Sequence, residues 1–82
     1  MAPRLRTLGG ADVVAALRAV GFEVVAVRGS HAKLRRLLPD GHRQTMTVPL
    51  HKELARGTLL ALYRQALRFI PDADLKPRFF VG

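Results

Sequence analysis

The sequence predicts an α+β domain in the order α-β-β-β-α, with a three-stranded antiparallel sheet and two helices on one face of that sheet. Apolar residues recur at helical spacing near each end of the chain, and the segments between them are rich in β-branched residues and separated by turn residues. With 82 residues there is room for a single core. Two short amphipathic helices share one apolar surface, so both are expected on the same side of the sheet.

The first helix is predicted over residues 10–20. Four apolar residues fall there at positions i, i+3, i+4 and i+7, namely Val13, Ala16, Leu17 and Val20. Asp12 suits the first turn of such a helix, and Gly21 suits the position after its end. Residues 22–28 are β-branched and predict the first strand, and Gly29-Ser30 predicts a two-residue hairpin turn with glycine at its first central position.

The second strand is predicted over residues 31–38 and the third over residues 43–48, with a turn at residues 39–42 and Pro49 ending the third strand. The second helix is predicted over residues 58–70. Thr58 is a plausible cap, although the helix could begin a few residues earlier. One face of this helix carries Leu59, Leu62, Tyr63, Ala66, Leu67 and Ile70.

The two ends of the chain lie outside this pattern. Residues 1–9 predict a loose basic lead, residues 10–70 the folded domain, and residues 71–82 a tail. The tail contains Pro77 and is too short to predict another core helix, but its end is apolar enough to dock on a surface.

The hairpin turn fixes the register of the first two strands. Arg28 should oppose His31, while the pairs Val27–Ala32 and Val25–Leu34 should face the core. The third strand must place Met46 and Val48 beside Leu34, so the paired residue numbers must have an even sum of about 80 or 82. His31 then opposes either Pro49 or His51. In both registers the open face gathers Arg28, His31, Lys33 and Arg35, with His51 near its rim.

Charge points to a polyanionic partner. The chain has 14 Lys+Arg against 6 Asp+Glu and a formal net charge of +8, which suits nucleic acid or an acidic protein. The sequence has no cysteine, which excludes disulfides, thiolate zinc sites and thiol nucleophiles. No apolar run has the length of a membrane span, so a cytoplasmic protein without a membrane partner is expected.

Simpler explanations exist for each polar residue. A charged face on a half-exposed sheet is usually only solvated. His42 lies in a turn where surface histidine is common, and His51 could be a loop residue that hydrogen-bonds the backbone. A metal held by His31 and His51 would need a third ligand, which only Glu53 or Asp40 could supply, so no metal or other cofactor is expected. A Ser30 nucleophile would lack an acid to orient its base.

Three short motifs in order carry a resemblance to a known family: Arg28-Gly29-Ser30-His31, then Thr47-Val48-Pro49-Leu50-His51, then Gly57-Thr58-Leu59. Over about residues 10–70 the chain resembles the HicA family of bacterial toxins. The resemblance implies a fold like a double-stranded RNA-binding domain and the activity of an mRNA-cleaving endoribonuclease, the toxin of a type II toxin-antitoxin system. It also implies inhibition by a HicB-type antitoxin and a catalytic role for His31.

RNA cleavage needs few protein groups, because the 2′-hydroxyl of the substrate is itself the nucleophile. We expect His31 to act as the base and Arg28 and Lys33 to hold the phosphate. His51 is a weaker candidate for the acid. Further phosphate contacts are expected from Arg35, Arg36 and Lys52.

Two other classes of function fit the same residues. The domain could be a non-catalytic RNA-binding module, which should tolerate the loss of His31. It could also be an interaction protein whose basic sheet docks an acidic partner, and only an RNA assay separates that from a toxin.

Overall fold

A computed structural model describes residues 2–82, and residue 1, the first of the predicted lead, lies outside the described residues. The chain forms an α+β domain with the predicted three-stranded sheet and an additional helix near the C-terminus. In chain order the elements are β1 (Arg4–Leu5), α1 (Gly10–Ala19), β2 (Glu23–Arg28), β3 (His31–Leu37), β4 (Arg43–Pro49), α2 (Arg56–Ala66), α3 (Asp72–Phe79) and β5 (Phe80–Val81).

The main sheet is an antiparallel meander in the order β2-β3-β4. Gly29 in the β2–β3 turn has a φ of +56°, the left-handed region that favours glycine. Between β3 and β4 the register has the smaller of the two predicted sums, so His31 pairs with Pro49 and Leu34 with Met46. Leu34, Met46 and Val48 are buried together, as predicted.

A β-bulge in β2 overturns one predicted pair. Arg28 pairs with His31 and Val27 with Ala32 as expected, but the register then shifts, and Val24 rather than Val25 opposes Leu34. The bulge moves Val24 to the helix side of the sheet. Because β2 is an edge strand, its valines remain exposed, and Val25 is 44% and Val27 57% accessible. These two residues therefore do not build the core, contrary to the prediction.

The helices cover one face of the meander, and the opposite face is open. On α1 the predicted residues Val13, Ala16 and Leu17 are buried, and Phe22 fills the core just before β2. The second helix begins earlier than Thr58 and ends at Ala66. One predicted core residue, Leu67, is 36% exposed because it follows the helix end. The other predicted residues of that face are buried, namely Leu59, Leu62, Tyr63, Ala66 and Ile70.

The predicted loose lead is ordered over residues 4–8. Its strand β1 pairs antiparallel with β5, so that Leu5 lies opposite Phe80. The backbone N–H of Arg6 donates to the Phe79 carbonyl at 2.8 Å, and its guanidinium donates to the Pro77 carbonyl at 3.2 Å. We call this β1–β5 pair the clasp. It forms because the predicted tail folds back and offers a strand edge to the lead.

The tail contains a core helix, which corrects the prediction that it was too short for one. Pro77 lies inside α3, where proline normally disfavours a helix. Leu75 and Phe79, one turn apart on α3, are both fully buried. The apolar end of the tail therefore packs into the domain's own core, and this burial offsets the backbone hydrogen bond that Pro77 cannot donate.

One tyrosine joins the tail to α2. The Tyr63 ring packs against Phe79 and Phe80, with ring centroids 5.2 and 5.1 Å apart. Its hydroxyl donates a hydrogen bond to the Asp72 carboxylate in the first turn of α3. Burial raises the pKa of Tyr63 to about 12, and the hydrogen bond and negative charge of Asp72 add to the effect.

Candidate functional site

The open face of the sheet, opposite the helices, carries a shallow concavity lined by Ala26, Arg28, His31, Lys33 and Thr47. Its geometry follows from the strand registers. The β2–β3 turn sets Arg28 directly across from His31, and Lys33 lies between Ala26 and Thr47. The side chains that flank Lys33 on both neighbouring strands are thus small, and the surface is therefore recessed beside Lys33.

The concavity is cationic and accessible. Arg28, His31 and Lys33 are all exposed. Within residues 2–82 the one ion pair shorter than 4.0 Å joins His42 and Asp40. No carboxylate of the described residues therefore pairs with Arg28 or Lys33. Three of the predicted site residues therefore lie together with their charged or polar groups free for a ligand.

Thr47 belongs to this concavity and was not predicted as a site residue. It lies opposite Lys33 and is exposed. Arg43 was not predicted either. It pairs with the exposed Leu37 at the far end of β3, on the same face of the sheet. The signal for both was present in the register that pairs His31 with Pro49, because alternation along β4 then places Thr47, Thr45 and Arg43 on the open face.

Arg35 lies further along the same face. Its neighbours across the strands are Thr45 on β4 and Glu23 on β2. The side chain is half-buried, and its Nε atom is buried without a hydrogen-bond partner in the described part of the chain. The placement agrees with the predicted extension of the basic face beyond Lys33.

Arg36, by contrast, lies on the helix side of the sheet. Its Nη1 donates to Gln44 Oε1 at 3.0 Å and to the Phe69 carbonyl at 3.3 Å. The same alternation that directs Leu34 to the core directs Arg36 to that side. The structure therefore separates Arg36 from the open face on which Arg28, Lys33 and Arg35 lie.

His51 and Lys52 follow β4 where the chain leaves the sheet for the helix layer. The His51 carbonyl accepts the backbone N–H of Gly10 at 2.9 Å, at the start of α1. Both side chains are exposed, and neither lines the concavity that holds His31. The structure therefore does not bring either residue into the concavity.

His42 lies in the β3–β4 turn, away from the concavity. Its Nδ1 atom is 2.8 Å from Asp40 Oδ2, and its backbone N–H donates to Asp40 Oδ1 at 2.9 Å. These two hydrogen bonds, the side-chain one first, hold the pKa of Asp40 below its ordinary value. Within residues 2–82 there is no group of three or more His, Cys, Asp or Glu side chains placed to hold a metal ion.

The chain is thus a small basic α+β domain, a helix-backed meander whose candidate site is a cationic concavity with a single histidine on the open sheet face. The chain belongs to the HicA toxin family, because residues 10–67 match the family described as HicA toxin of bacterial toxin-antitoxin. This confirms the resemblance seen in the sequence, and membership implies the toxin of a toxin-antitoxin system. Neither curated proteins nor solved structures gave a significant match. In the described part of the chain no helix is long and apolar enough to span a membrane.

Proposed function

We propose that this HicA-family toxin is a metal-independent endoribonuclease that cleaves mRNA with His31 as its base. One observation carries the proposal: His31 stands in the cationic concavity directly across from Arg28, with Lys33 two residues further along the same face. Attack of the 2′-oxygen on the phosphorus needs a base that removes the hydroxyl proton and nearby positive charges that stabilise the phosphate oxygens.

In the proposed reaction the neutral imidazole of His31 takes the proton from the 2′-hydroxyl of the RNA. The 2′-oxygen then bonds to the adjacent phosphorus, and the bond from phosphorus to the 5′-oxygen breaks. Arg28 and Lys33 stabilise the negative charge that builds up on the phosphate oxygens. The products are a 2′,3′-cyclic phosphate and a free 5′-hydroxyl.

The departing 5′-oxygen needs a proton. His51 is the proposed donor, acting from the rim of the concavity. Unlike His31, His51 does not line the concavity, so its role has a test of its own. If His51 acts as the acid, His51→Ala lowers the cleavage rate about 10²-fold or more, as is typical of a positioned acid. If the proton comes from water, the rate stays close to that of the wild type.

The central experiment compares three proteins on one RNA strand: the wild type, His31→Ala, and His42→Ala as a histidine control outside the concavity. We expect cleavage to fall at least about 10²-fold in His31→Ala and to stay unchanged in His42→Ala. A strand without 2′-hydroxyls should resist the wild type, and EDTA should have no effect. Cleavage by His31→Ala above about a tenth of the wild-type rate contradicts the role of base.

A non-catalytic RNA-binding module is the alternative outcome of the same experiment. The open cationic face would serve it equally well. In that case all three proteins bind the strand with equal affinity, and none cleaves it. The proposal as a nuclease then fails, although RNA binding stands.

We further propose a HicB-type antitoxin as the inhibitor and the cytoplasm as the place of action. An inhibitor of this face should present Asp and Glu side chains to it or close access to His31. Charge reversal at Arg35 should then slow association of the antitoxin at low salt, whereas reversal at Arg64, an exposed residue of α2, should not. Equal association rates for the two variants would place the antitoxin elsewhere on the toxin.

A further inference from the structure

The open face of β3 presents a regular series of side chains. Alternation along the strand directs His31, Lys33 and Arg35 to the same side. Successive members are about 6.6 Å apart, twice the rise per residue of a strand, which is comparable to the distance between neighbouring phosphates of an extended single strand. The spacing therefore suits one nucleotide for each member of the series.

The neighbouring strands shape a path along this series. On β4 the exposed Thr47 and Thr45 stand beside Lys33 and Arg35. Their hydroxyls can both donate and accept hydrogen bonds, as a ribose 2′-hydroxyl does. On β2 the small Ala26 lies beside Lys33. The sheet has only three strands, so the path is about 10 Å wide, which suits a single strand better than a duplex.

The path has only one direction away from His31. The series begins at His31 because the Gly29-Ser30 turn precedes it. On the neighbouring strand the chain leaves the sheet after Pro49, and the His51 carbonyl bonds to Gly10 at the start of α1. In the other direction the series continues through Lys33 and Arg35 to Leu37, which is 68% exposed and lies beside Arg43.

Phenylalanine and tyrosine side chains take no part in this face. The chain has four phenylalanines, one tyrosine and no tryptophan. All five pack in or against the hydrophobic core on the helix side, namely Phe22, Tyr63, Phe69, Phe79 and Phe80. Base stacking on phenylalanine or tyrosine rings is therefore not available to a strand lying on the open face, and contacts are expected mainly with phosphate and ribose.

We propose that the open face is a one-sided track for single-stranded RNA, running along β3 from His31 toward Leu37. Lys33, which also contacts the scissile phosphate, reaches the first phosphate on one side of the scissile linkage, and Arg35 holds the second. Thr47 and Thr45 contact the ribose. On the opposite side of the scissile linkage the sheet ends, and the exposed Lys52 beyond Pro49 does not line the concavity, so no matching series of contacts is expected there. This inference rests on the proposed function, because it takes His31 as the site of cleavage.

The test uses strands that are deoxyribonucleotide except for one ribonucleotide, which fixes the cleavage site. A neutral methylphosphonate replaces a single phosphate one or two linkages away, on either side. Cleavage should slow about twofold to fivefold for each replacement on one side, as is typical of an exposed ion pair. Replacements on the other side should have no effect. Equal effects on both sides, or none on either, would overturn the one-sided track.

Protein variants assign each position on the track. In Arg35→Ala the second methylphosphonate should have no further effect while the first still does, and in Lys33→Ala the reverse should hold. Glu23→Gln removes a negative charge beside Arg35 and should strengthen binding of strands that reach the second phosphate. The charge-matched control Arg64→Ala should respond to both replacements as the wild type does. If both variants respond like this control, the assignment is wrong.

Binding separates the two proposals if the wild type cleaves no strand at all. The proposed function then fails. The track still predicts that Lys33→Ala and Arg35→Ala each lose affinity for an uncleavable single strand, by about twofold to fivefold relative to Arg64→Ala. Unchanged affinity in both variants would remove the track as well.

Discussion

Tyr63 donates its hydroxyl hydrogen bond to Asp72, and this contact joins α2 to the first turn of α3. The same ring packs against Phe79 and Phe80. A residue inside the family-matched segment thus anchors the C-terminal residues that lie beyond it. The tail is therefore held in part by a side chain of the family-matched segment.

The raised pKa of Tyr63 predicts a loss of stability at high pH. The neutral phenol is favoured in the fold, where its pKa is about 12 against an ordinary value of 10.0. This contribution is complete below pH 10 and is lost as the pH rises toward 12. Between pH 10 and 12 the melting temperature of the wild type should therefore fall more steeply than that of Tyr63→Phe. Tyr63 is the sole tyrosine, so tyrosinate absorbance reports it directly. A midpoint near pH 10 in the folded protein would contradict the shift.

The tail should contribute strongly to stability through Phe79. This side chain is fully buried, and truncating a buried phenylalanine to alanine costs about 3–5 kcal/mol. Phe79→Ala should lower the free energy of unfolding by that amount in urea titrations. The control Val81→Ala lies two residues away and is 45% exposed, so its effect should stay within about 0.5 kcal/mol. Equal stabilities for the two variants would show that α3 does not support the core.

Two adjacent arginines should behave differently. If Arg35 contacts a phosphate, Arg35→Ala should flatten the slope of log K against log salt by about 0.7 for an uncleavable single strand. Arg36→Ala should leave that slope unchanged and lower the free energy of unfolding by on the order of 1.5 kcal/mol, because it removes hydrogen bonds to Gln44 and the Phe69 carbonyl. Fluorescence anisotropy and urea unfolding measure the two quantities. A flatter slope in Arg36→Ala and an unchanged slope in Arg35→Ala would contradict the placement of Arg35 on the open face and Arg36 on the helix side.

Two glycines give opposite predictions. A Cβ on Gly10 would collide with the Pro49 carbonyl and lie 2.7 Å from Leu50 Cα, both backbone atoms where β4 leaves the sheet. Gly10→Ala should therefore cost about 1–3 kcal/mol, as overpacking does. Gly57 on α2 has nothing within 4 Å of that position, so Gly57→Ala should stabilise the helix by up to about 1 kcal/mol. Thermal melts compare the two, and a stable Gly10→Ala protein would contradict the close approach.

The meander could be predicted from the sequence because glycine or proline bounds each strand and because the core residues of β3 and β4 are alternate residues that point to one face of the sheet. The sequence was not sufficient for β2, where a bulge at Val25 leaves no mark in an apolar run. The sequence did not predict α3 because Pro77 disfavours a helix locally. The burial of Leu75 and Phe79, which stabilises that helix, depends on tertiary contacts that the local sequence does not show. Of the site, parity could place His31, Lys33 and Arg35, and it would also have placed Arg36 on the other side and Thr47 in the concavity.

The clasp has a consequence for the order in which the fold forms and opens. The meander is built from short hairpins, whereas the clasp joins the two ends of the chain. The hydrogen bond next to it, from Arg6 to Pro77, spans a sequence separation of 71 residues. Closing so long a loop is entropically expensive, so the clasp should form late in folding and open first from the native state. Its amide protons, such as that of Arg6, should exchange with solvent much faster than those at the centre of β3, while the meander beneath remains intact.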